Sequence, residues 1–154
     1  MSIAPVLKTV DVTVPPARAF HLFTARMGRW WPSGKTPAAN PHADVVVEPF
    51  AGGRWFERDT EGVENLWGKV LVWKPPERLM LGWQLNGRWT YDPDLVTEVE
   101  LTFIALEGGG TRVMLEHRNL ERFSVDAERV AEAVGGGWPR RLAEFAAYAD
   151  ASLA

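Results

Sequence analysis

Cysteine is absent from the 154 residues of the chain, and this absence excludes disulfide bonds, thiol catalysis and zinc–thiolate sites. It is typical of a protein of the reducing cytoplasm. An excess of positive charge is also missing, because the formal net charge is −3, and this argues against nucleic acid as the main partner. No apolar run approaches the roughly 18 residues of a membrane span. The start, MSIAPVLKTVDVTVPP, lacks the features of a signal peptide, so we expect a cytoplasmic protein.

Motifs that mark metal, nucleotide or hydrolase sites are equally scarce. The three histidines, His21, His42 and His117, do not have metal-ligand spacing, and no serine lies in a GXSXG elbow. The glycines at 135–137 precede a helix, as those of a phosphate loop do, but they follow a helical segment and lack the GK[ST] ending. The favoured interpretation of these glycines is a flexible hinge between two helical pieces. We therefore expect neither a metal nor a cofactor.

Tryptophan, in contrast, is abundant, with eight residues in the chain. Hydrophobic residues make up 46% of the sequence and charged residues 24%, as in an ordinary globular protein. The length predicts a single domain over residues 1–154. Either some of the tryptophans line a cavity or a surface, or the core is unusually rich in tryptophan.

Hydrophobic periodicity predicts the order of the elements. Val10, Val12 and Val14 alternate with polar residues and indicate a first strand. Two prolines end it and favour a short helix to about residue 25, followed by a second helical turn over 27–31. Short turns then separate six further strands, and short turns between successive strands imply antiparallel pairing. These strands are predicted at 44–50, 54–58, 65–73, 79–85, 96–106 and 111–117.

The C-terminal segment has the periodicity of an amphipathic helix. It is predicted to begin near residue 127, to be interrupted by the glycines at 135–137, and to continue with an apolar stripe. The stripe consists of Trp138, Leu142, Phe145 and Ala149, and the charged residues expected on the opposite side are Arg140, Arg141 and Glu144. A long helix after an antiparallel sheet buries its stripe on the sheet. We therefore predict an α+β fold, in which a curved antiparallel sheet of about six or seven strands wraps around this helix and leaves a cavity.

Six stretches of the sequence resemble a known superfamily in their order and spacing. They are VPPARAFHLFT, RWWP, EPFAGGRWFE, WGKVLVWKPPERLMLGW, TEVELTFIALEGGGTRVMLEHRNLE and GGGWPRRLAEFAAYA, which run from Val14 to Ala149. The chain is similar to the SRPBCC superfamily, which includes START lipid-binding domains and the birch-pollen allergen. Within it, the chain resembles the C-terminal domain of the activator of heat-shock protein 90 ATPase. The resemblance implies a helix-grip fold, with two short helices after the first strand and a sheet around the long C-terminal helix.

The resemblance leaves three functions open, because one fold can carry unrelated activities. The first is the binding of a small hydrophobic, aromatic or amphipathic molecule in the cavity, without catalysis. The second is an enzyme of the cyclase, dehydratase or hydrolase type that acts on a similar ligand with His117 as its base. The third is a co-chaperone-like interaction domain, although the separate N-terminal domain of a full chaperone activator is not seen. A homodimer is a further possibility.

A binding cavity requires a wall of apolar side chains with a few polar groups. The predicted wall consists of Trp30, Trp31, Trp55, Trp83, Phe103, Trp138, Leu142 and Phe145. Adjacent residues of a helical turn point about 100° apart. One of Trp30 and Trp31 is therefore expected to pack inward against the C-terminal helix, and the other to gate the entrance. Arg26, Arg29 and Lys35 could hold an anionic head there, although a solvated rim is the commoner role of such residues.

His117 and Glu57 are the candidate polar groups of the cavity. His117 shares a strand face with apolar residues and is predicted to point inward, where it could hydrogen-bond a ligand or act as a general base. The alternative is a structural histidine at a strand end. Glu57 would pair with it only if Glu57 and Trp55 faced inward. The favoured interpretation is that Phe56 faces inward instead and that Glu57 is solvated.

Overall fold

The computed structural model describes residues 3–32, 42–124 and 126–152, and its main feature is a curled antiparallel sheet. Its seven strands are β1 (Val6–Val12), β2 (His42–Val47), β3 (Arg54–Asp59), β4 (Glu64–Lys74), β5 (Arg78–Trp83), β6 (Thr97–Ala105) and β7 (Thr111–Arg118). They lie in the order β1-β7-β6-β5-β4-β3-β2, and neighbouring strands are antiparallel. The helices are α1 (Pro16–Ala25), α2 (Met27–Trp30) and α3 (Ala127–Ala151), and a 3₁₀ turn spans Leu120–Phe123.

This architecture confirms the predicted α+β fold, with two short helices after the first strand and a long helix at the end. Local sequence accounts for the strands and turns. In β6 the alternating residues Val99, Leu101 and Phe103 are buried, as their spacing predicts. Tight turns precede β3 and β7, where Gly52 and Gly108 adopt φ angles of 90° and 97°, a left-handed conformation that costs glycine little.

α3 runs without interruption through the glycines at 135–137, so the predicted hinge is wrong. A Cβ atom at Gly135 would lie 3.2 Å from Cγ2 of Val6, which shows how closely the helix crosses β1. Each glycine costs up to about 1 kcal/mol of helix stability relative to alanine. Packing offsets this cost, because the apolar stripe that begins at Trp138 and includes Leu142 is buried on the sheet. No helix in the described ranges is long and apolar enough to cross a lipid bilayer.

The interior between the sheet and α3 has two chemically different ends. One end is built mainly of phenylalanine rings, with centroids 5.1–5.9 Å apart. This phenylalanine end consists of Phe20, Phe23, Phe103 and Phe145. The other end is built mainly of tryptophan rings and contains His117. The polar group that the sequence predicts for the interior therefore lies among the tryptophans.

Candidate functional site

Five buried tryptophans, here named the tryptophan cluster, form a continuous aromatic surface inside the protein. They are Trp31, Trp55, Trp67, Trp83 and Trp138, each at most 7% exposed. Contacting ring centroids within the cluster are 5.0–6.1 Å apart, and most pairs meet edge to face. Aromatic rings attract each other in this geometry. Strands β3, β4 and β5, the end of α2 and α3 thus all contribute to one site.

Trp30 and Trp31 are both buried, so the prediction that one of them gates the entrance is wrong. The two indoles occupy different levels along α3. Trp30 packs on Phe145 at a centroid distance of 5.2 Å, and Trp31 packs on Trp138 at 5.9 Å. Phe145 and Trp138 are two helical turns apart, about 10 Å along the axis. The two indoles contact each other at a centroid distance of 5.7 Å and pack on different turns of α3, rather than one lying inside and one outside.

Glu57 is fully buried, so the favoured interpretation of a solvated carboxylate is wrong. Trp55 and Glu57 share one side of β3, and Trp55 belongs to the tryptophan cluster. Phe56 is buried as well, but it points to the other face of the sheet. There the guanidinium groups of Arg54 and Arg58 lie 4.4 and 5.6 Å from its ring centroid and shield it from water. β3 therefore buries consecutive residues, because the two arginines cover the side chain on its outer face.

Two predicted wall residues and two predicted basic residues have other positions. Phe103 and Phe145 are buried at the phenylalanine end. Arg26 and Arg29 are exposed where α1 meets α2, and Lys35 falls outside the described residues. An anion-holding role for these three basic residues stays a prediction.

His117, on β7, is fully buried, and both of its ring nitrogens are hydrogen-bonded. The indole N–H of Trp138 donates to Nδ1 at 3.1 Å, which leaves the ring proton on Nε2. The Nε2–H group donates to the Thr97 hydroxyl at 2.8 Å. That hydroxyl donates in turn to the carbonyl oxygen of Trp83 at 3.1 Å. The sheet and α3 therefore hold the imidazole in one tautomer and one orientation.

The environment of His117 opposes a role as general base. Burial lowers the pKa of His117 to about 3, and the positive charge of Arg141 acts in the same direction. The ring is consequently neutral near pH 7 and has no unoccupied nitrogen. Three strands lie between β7 and β3 in the sheet, so His117 and Glu57 are not on adjacent strands. The arrangement favours the structural alternative for His117.

Arg141 is partly buried and its guanidinium group packs against the tryptophan cluster, so the prediction that it turns away from the sheet is wrong. Four indole rings surround its guanidinium group, with centroids 4.9–5.8 Å from Cζ. These rings belong to Trp31, Trp83, Trp89 and Trp138. Burial, with a contribution from Arg140, lowers the pKa of Arg141 to about 10, so the group remains charged at neutral pH. A cation in an aromatic box is stabilised by the electron-rich ring faces.

The sequence does contain a signal for the position of Arg141. It lies three residues after Trp138 and four before Phe145, which is the spacing of one helix face. Gly137, one turn earlier, leaves space for the arginine: a Cβ atom there would lie 2.8 Å from Nη1 of Arg141. The charge of Arg141 alone suggested that its side chain faces solvent. Its helical spacing from Trp138, combined with the small residue Gly137 one turn earlier, indicates instead that it faces the sheet.

Trp67 belongs to the tryptophan cluster although the sequence did not identify it as a site residue. Trp55 pairs with Gly68 and Phe56 with Leu66, so Trp67 is the extra residue of a β-bulge in β4. The bulge breaks the alternation that predicts which side chains face inward. Trp67 is 1% exposed, and its indole N–H has no hydrogen-bond partner among the described residues.

A narrow crevice at the surface reaches Trp83 of the tryptophan cluster. It lies between α3 and the loop that follows β5, and its volume of about 20 Å³ accommodates about one water molecule. Trp83 and Trp89 line one side of it, and Val130 and Val134 line the other. Trp89 has a φ angle of 56°, a left-handed conformation that is uncommon for a bulky residue. Trp83 belongs to both the crevice and the cluster, so the crevice ends at one indole of the cluster.

Comparisons with known proteins give similarity along nearly the whole chain. The anthrahydroquino-gamma-pyrone synthase Txn09, solved in complex with a ligand designated SUM, is 38% identical, covers 94% of this chain and 96% of its own, and has a TM-score of 0.67. The self-sacrificing resistance protein CalC from Micromonospora echinospora is 28% identical, covers 97% and 96%, and has a TM-score of 0.70. A Rhodobacter sphaeroides protein that is 22% identical, with 98% and 94% covered and a TM-score of 0.68, supports the fold alone.

A comparison with curated proteins finds no match. The family model described as Activator of Hsp90 ATPase homolog 1-like protein matches residues 13–150. This match agrees with the resemblance noted in the sequence and with the helix-grip architecture of the sheet and α3. The chain therefore belongs to the Activator of Hsp90 ATPase homolog 1-like family, within the SRPBCC superfamily.

Proposed function

We propose that this protein binds a small planar aromatic molecule against the tryptophan cluster, between the sheet and α3. The observation that carries the proposal is the continuous aromatic surface of the cluster, which reaches the crevice through Trp83. Ligand sites of proteins are mostly apolar and aromatic, with a few polar groups that fix orientation. Here two polar groups that could fix orientation are the guanidinium group of Arg141 and the indole N–H of Trp67.

Binding requires the crevice to open, because in the closed form it holds about one water molecule. The loop between β5 and β6 is the element that can move, since Trp89 covers the guanidinium group from this loop and is only half-buried. Displacement of Trp89 would leave Trp83 and Trp138 in place as two walls of the site. A planar ring could then replace the contacts that Trp89 makes.

The similarity to Txn09 supports an aromatic ligand, because that relative is named as a synthase of an anthrahydroquinone-type pyrone. The same name favours catalysis on a similar ligand as an alternative to binding alone. That alternative stays a prediction, and the hydrogen bonds of His117 do not favour His117 as the base. Four other expectations also stay predictions: a chaperone partner, a homodimer, a single domain and a cytoplasmic location.

The first test measures binding of a neutral probe, 2-(hydroxymethyl)anthraquinone. We expect saturable quenching of tryptophan fluorescence and a higher midpoint of thermal unfolding, because a ligand that binds only the folded state stabilises it. Ala133→Trp should weaken binding at least about tenfold, since Ala133 lines the crevice and a tenfold loss corresponds to about 1.4 kcal/mol. Ala143→Trp is the matched control, because Ala143 is also exposed on α3 but does not line the crevice.

The two variants separate binding at the crevice from binding elsewhere. Both add one tryptophan at an exposed position of the same helix, so both should fold and bring the same additional fluorescence. Equal affinities of the two variants and the wild type would contradict a site at the crevice. A lack of quenching and of thermal stabilisation in the wild type would contradict aromatic ligand binding as a whole.

A further inference from the structure

We infer that Arg141 is an anion-recognition group of the tryptophan cluster, and that the ligand is a planar aromatic molecule with an ionised carboxylate or phenolate. Its negative oxygen would bind the guanidinium group of Arg141. The indole N–H of Trp67 would serve as a second donor to the ligand. This inference rests on the proposed function and specifies the chemical class of its ligand.

The first support is the missing counter-ion of Arg141. Six other arginines of the described chain form ion pairs with carboxylates near the surface. They are Arg54, Arg58, Arg78, Arg112, Arg118 and Arg129. Within the described ranges Arg141 has no such ion pair, and its Nη1 atom is buried without a hydrogen-bond partner. A buried cation without an anion is unfavourable, so an anionic ligand would supply what the site lacks.

The second support is the chemical character of two donor groups on residues that pack on Trp31. Nη1 of Arg141 and Nε1 of Trp67 are both buried, and both can only donate hydrogen bonds. Both residues pack on the indole of Trp31: the Cζ atom of Arg141 is 4.9 Å from the Trp31 ring centroid, and the Trp67 ring centroid is 5.0 Å from it. The ligand must therefore offer acceptors, and the positive charge favours acceptors on an anion.

The surrounding rings stabilise the positive charge of Arg141 but do not accept hydrogen bonds from its N–H groups. Ring faces attract a guanidinium group through their electron density, whereas the N–H groups lie in the guanidinium plane and point at acceptors. A carboxylate can accept two parallel hydrogen bonds from this planar group, which is why arginine recognises such anions well. An aromatic acid would use both properties of the site, with its rings on the indoles and its oxygen atoms on Arg141.

Gly137 indicates that the inward position of Arg141 depends on a small residue one turn earlier. A Cβ atom at residue 137 would lie 2.8 Å from Nη1 and 3.2 Å from Cζ of Arg141. Alanine at this position would therefore push the guanidinium group aside while keeping its charge. Gly136 is a matched control, since a Cβ atom there would have no heavy atom within 4 Å. Both substitutions raise helix propensity by a similar amount.

The experiment compares two probes of the same ring system, anthraquinone-2-carboxylate and neutral 2-(hydroxymethyl)anthraquinone. Affinities are measured by tryptophan quenching and by calorimetry in the wild type, Arg141→Met, Gly137→Ala and Gly136→Ala. We expect the wild type to bind the acid at least about tenfold more tightly than the neutral probe. Arg141→Met should remove this preference and leave the affinity for the neutral probe within about twofold, since methionine keeps the apolar contacts.

The glycine variants keep the test decisive if Arg141→Met fails to fold. Gly137→Ala should weaken acid binding at least about fivefold, and Gly136→Ala should leave it unchanged, because only the first substitution displaces the guanidinium group. If the wild type binds the neutral probe as tightly as the acid, or if Arg141→Met and Gly137→Ala retain the preference, the inference is overturned. If the wild type binds neither probe, the proposed function itself fails.

Discussion

Lowering the pH from 7 to 4 is expected to reduce the free energy of unfolding by about 3 kcal/mol through His117 alone. In the folded protein, burial lowers the pKa of His117 from 6.5 to about 3. Between these two values the unfolded chain binds a proton that the folded chain does not, so stability falls as the pH falls. Protonation of Nδ1 in the folded state would also abolish the hydrogen bond from the Trp138 indole N–H.

Urea unfolding at a series of pH values measures this effect. The control is His117→Gln, in which the titrating ring is gone while the surface carboxylates that also respond to acid remain. We expect the pH dependence of the wild type to exceed that of the variant by about 3 kcal/mol between pH 7 and 4. Identical pH profiles would mean that His117 ionises in the folded state as it does in water, and that it is not held neutral by its surroundings.

Trp138→Ala should destabilise the protein by about 4 kcal/mol, the second large effect that the structure implies. Trp138 is 1% exposed and joins the two halves of the site. Its ring contacts Trp31 and Trp83, and its N–H group satisfies Nδ1 of His117. The substitution would therefore create a cavity and leave a buried acceptor without its donor, two costs that add to each other.

Trp73→Ala is the control for the destabilisation expected of Trp138→Ala. Trp73 is only partly buried at the phenylalanine end, where its ring packs on Phe20 at a centroid distance of 5.0 Å. We expect Trp73→Ala to lower the free energy of unfolding, measured with urea, by less than half as much as Trp138→Ala, since the substitution removes less buried apolar area. Equal losses for the two variants would show that Trp138 is an ordinary core residue rather than the link between α3, β7 and the tryptophan cluster.

Sequence periodicity predicted the elements well because most strands bury one face and expose the other. The strand predicted at 96–106 is β6 at Thr97–Ala105, and the strand predicted at 111–117 is β7 at Thr111–Arg118. In these strands alternation and burial agree residue by residue. The same is true of the stripe on α3, whose members from Trp138 to Ala149 are all buried.

The errors have specific physical causes. The bulge at Trp67 changes which residues of β4 face inward, and alternation cannot locate a bulge. Phe56 is buried on the outer face because two arginines cover it, so its apolar character did not indicate the interior. Arg141 was placed outside because of its charge, whereas aromatic rings and the space above Gly137 make the interior accessible to it. Each error concerns a residue whose position depends on tertiary partners, not on its own segment.

The most direct test of the proposed site is a ¹H–¹⁵N spectrum of the eight indole N–H groups during titration with anthraquinone-2-carboxylate. We predict that the signals of Trp67, Trp83 and Trp89 shift, with that of Trp67 moving most, because its N–H lacks a partner among the described residues. The signal of Trp73 should stay in place, since its ring packs on Phe20 at the phenylalanine end. A shift confined to Trp73, or no shifts at saturating probe, would contradict a ligand site in the tryptophan cluster.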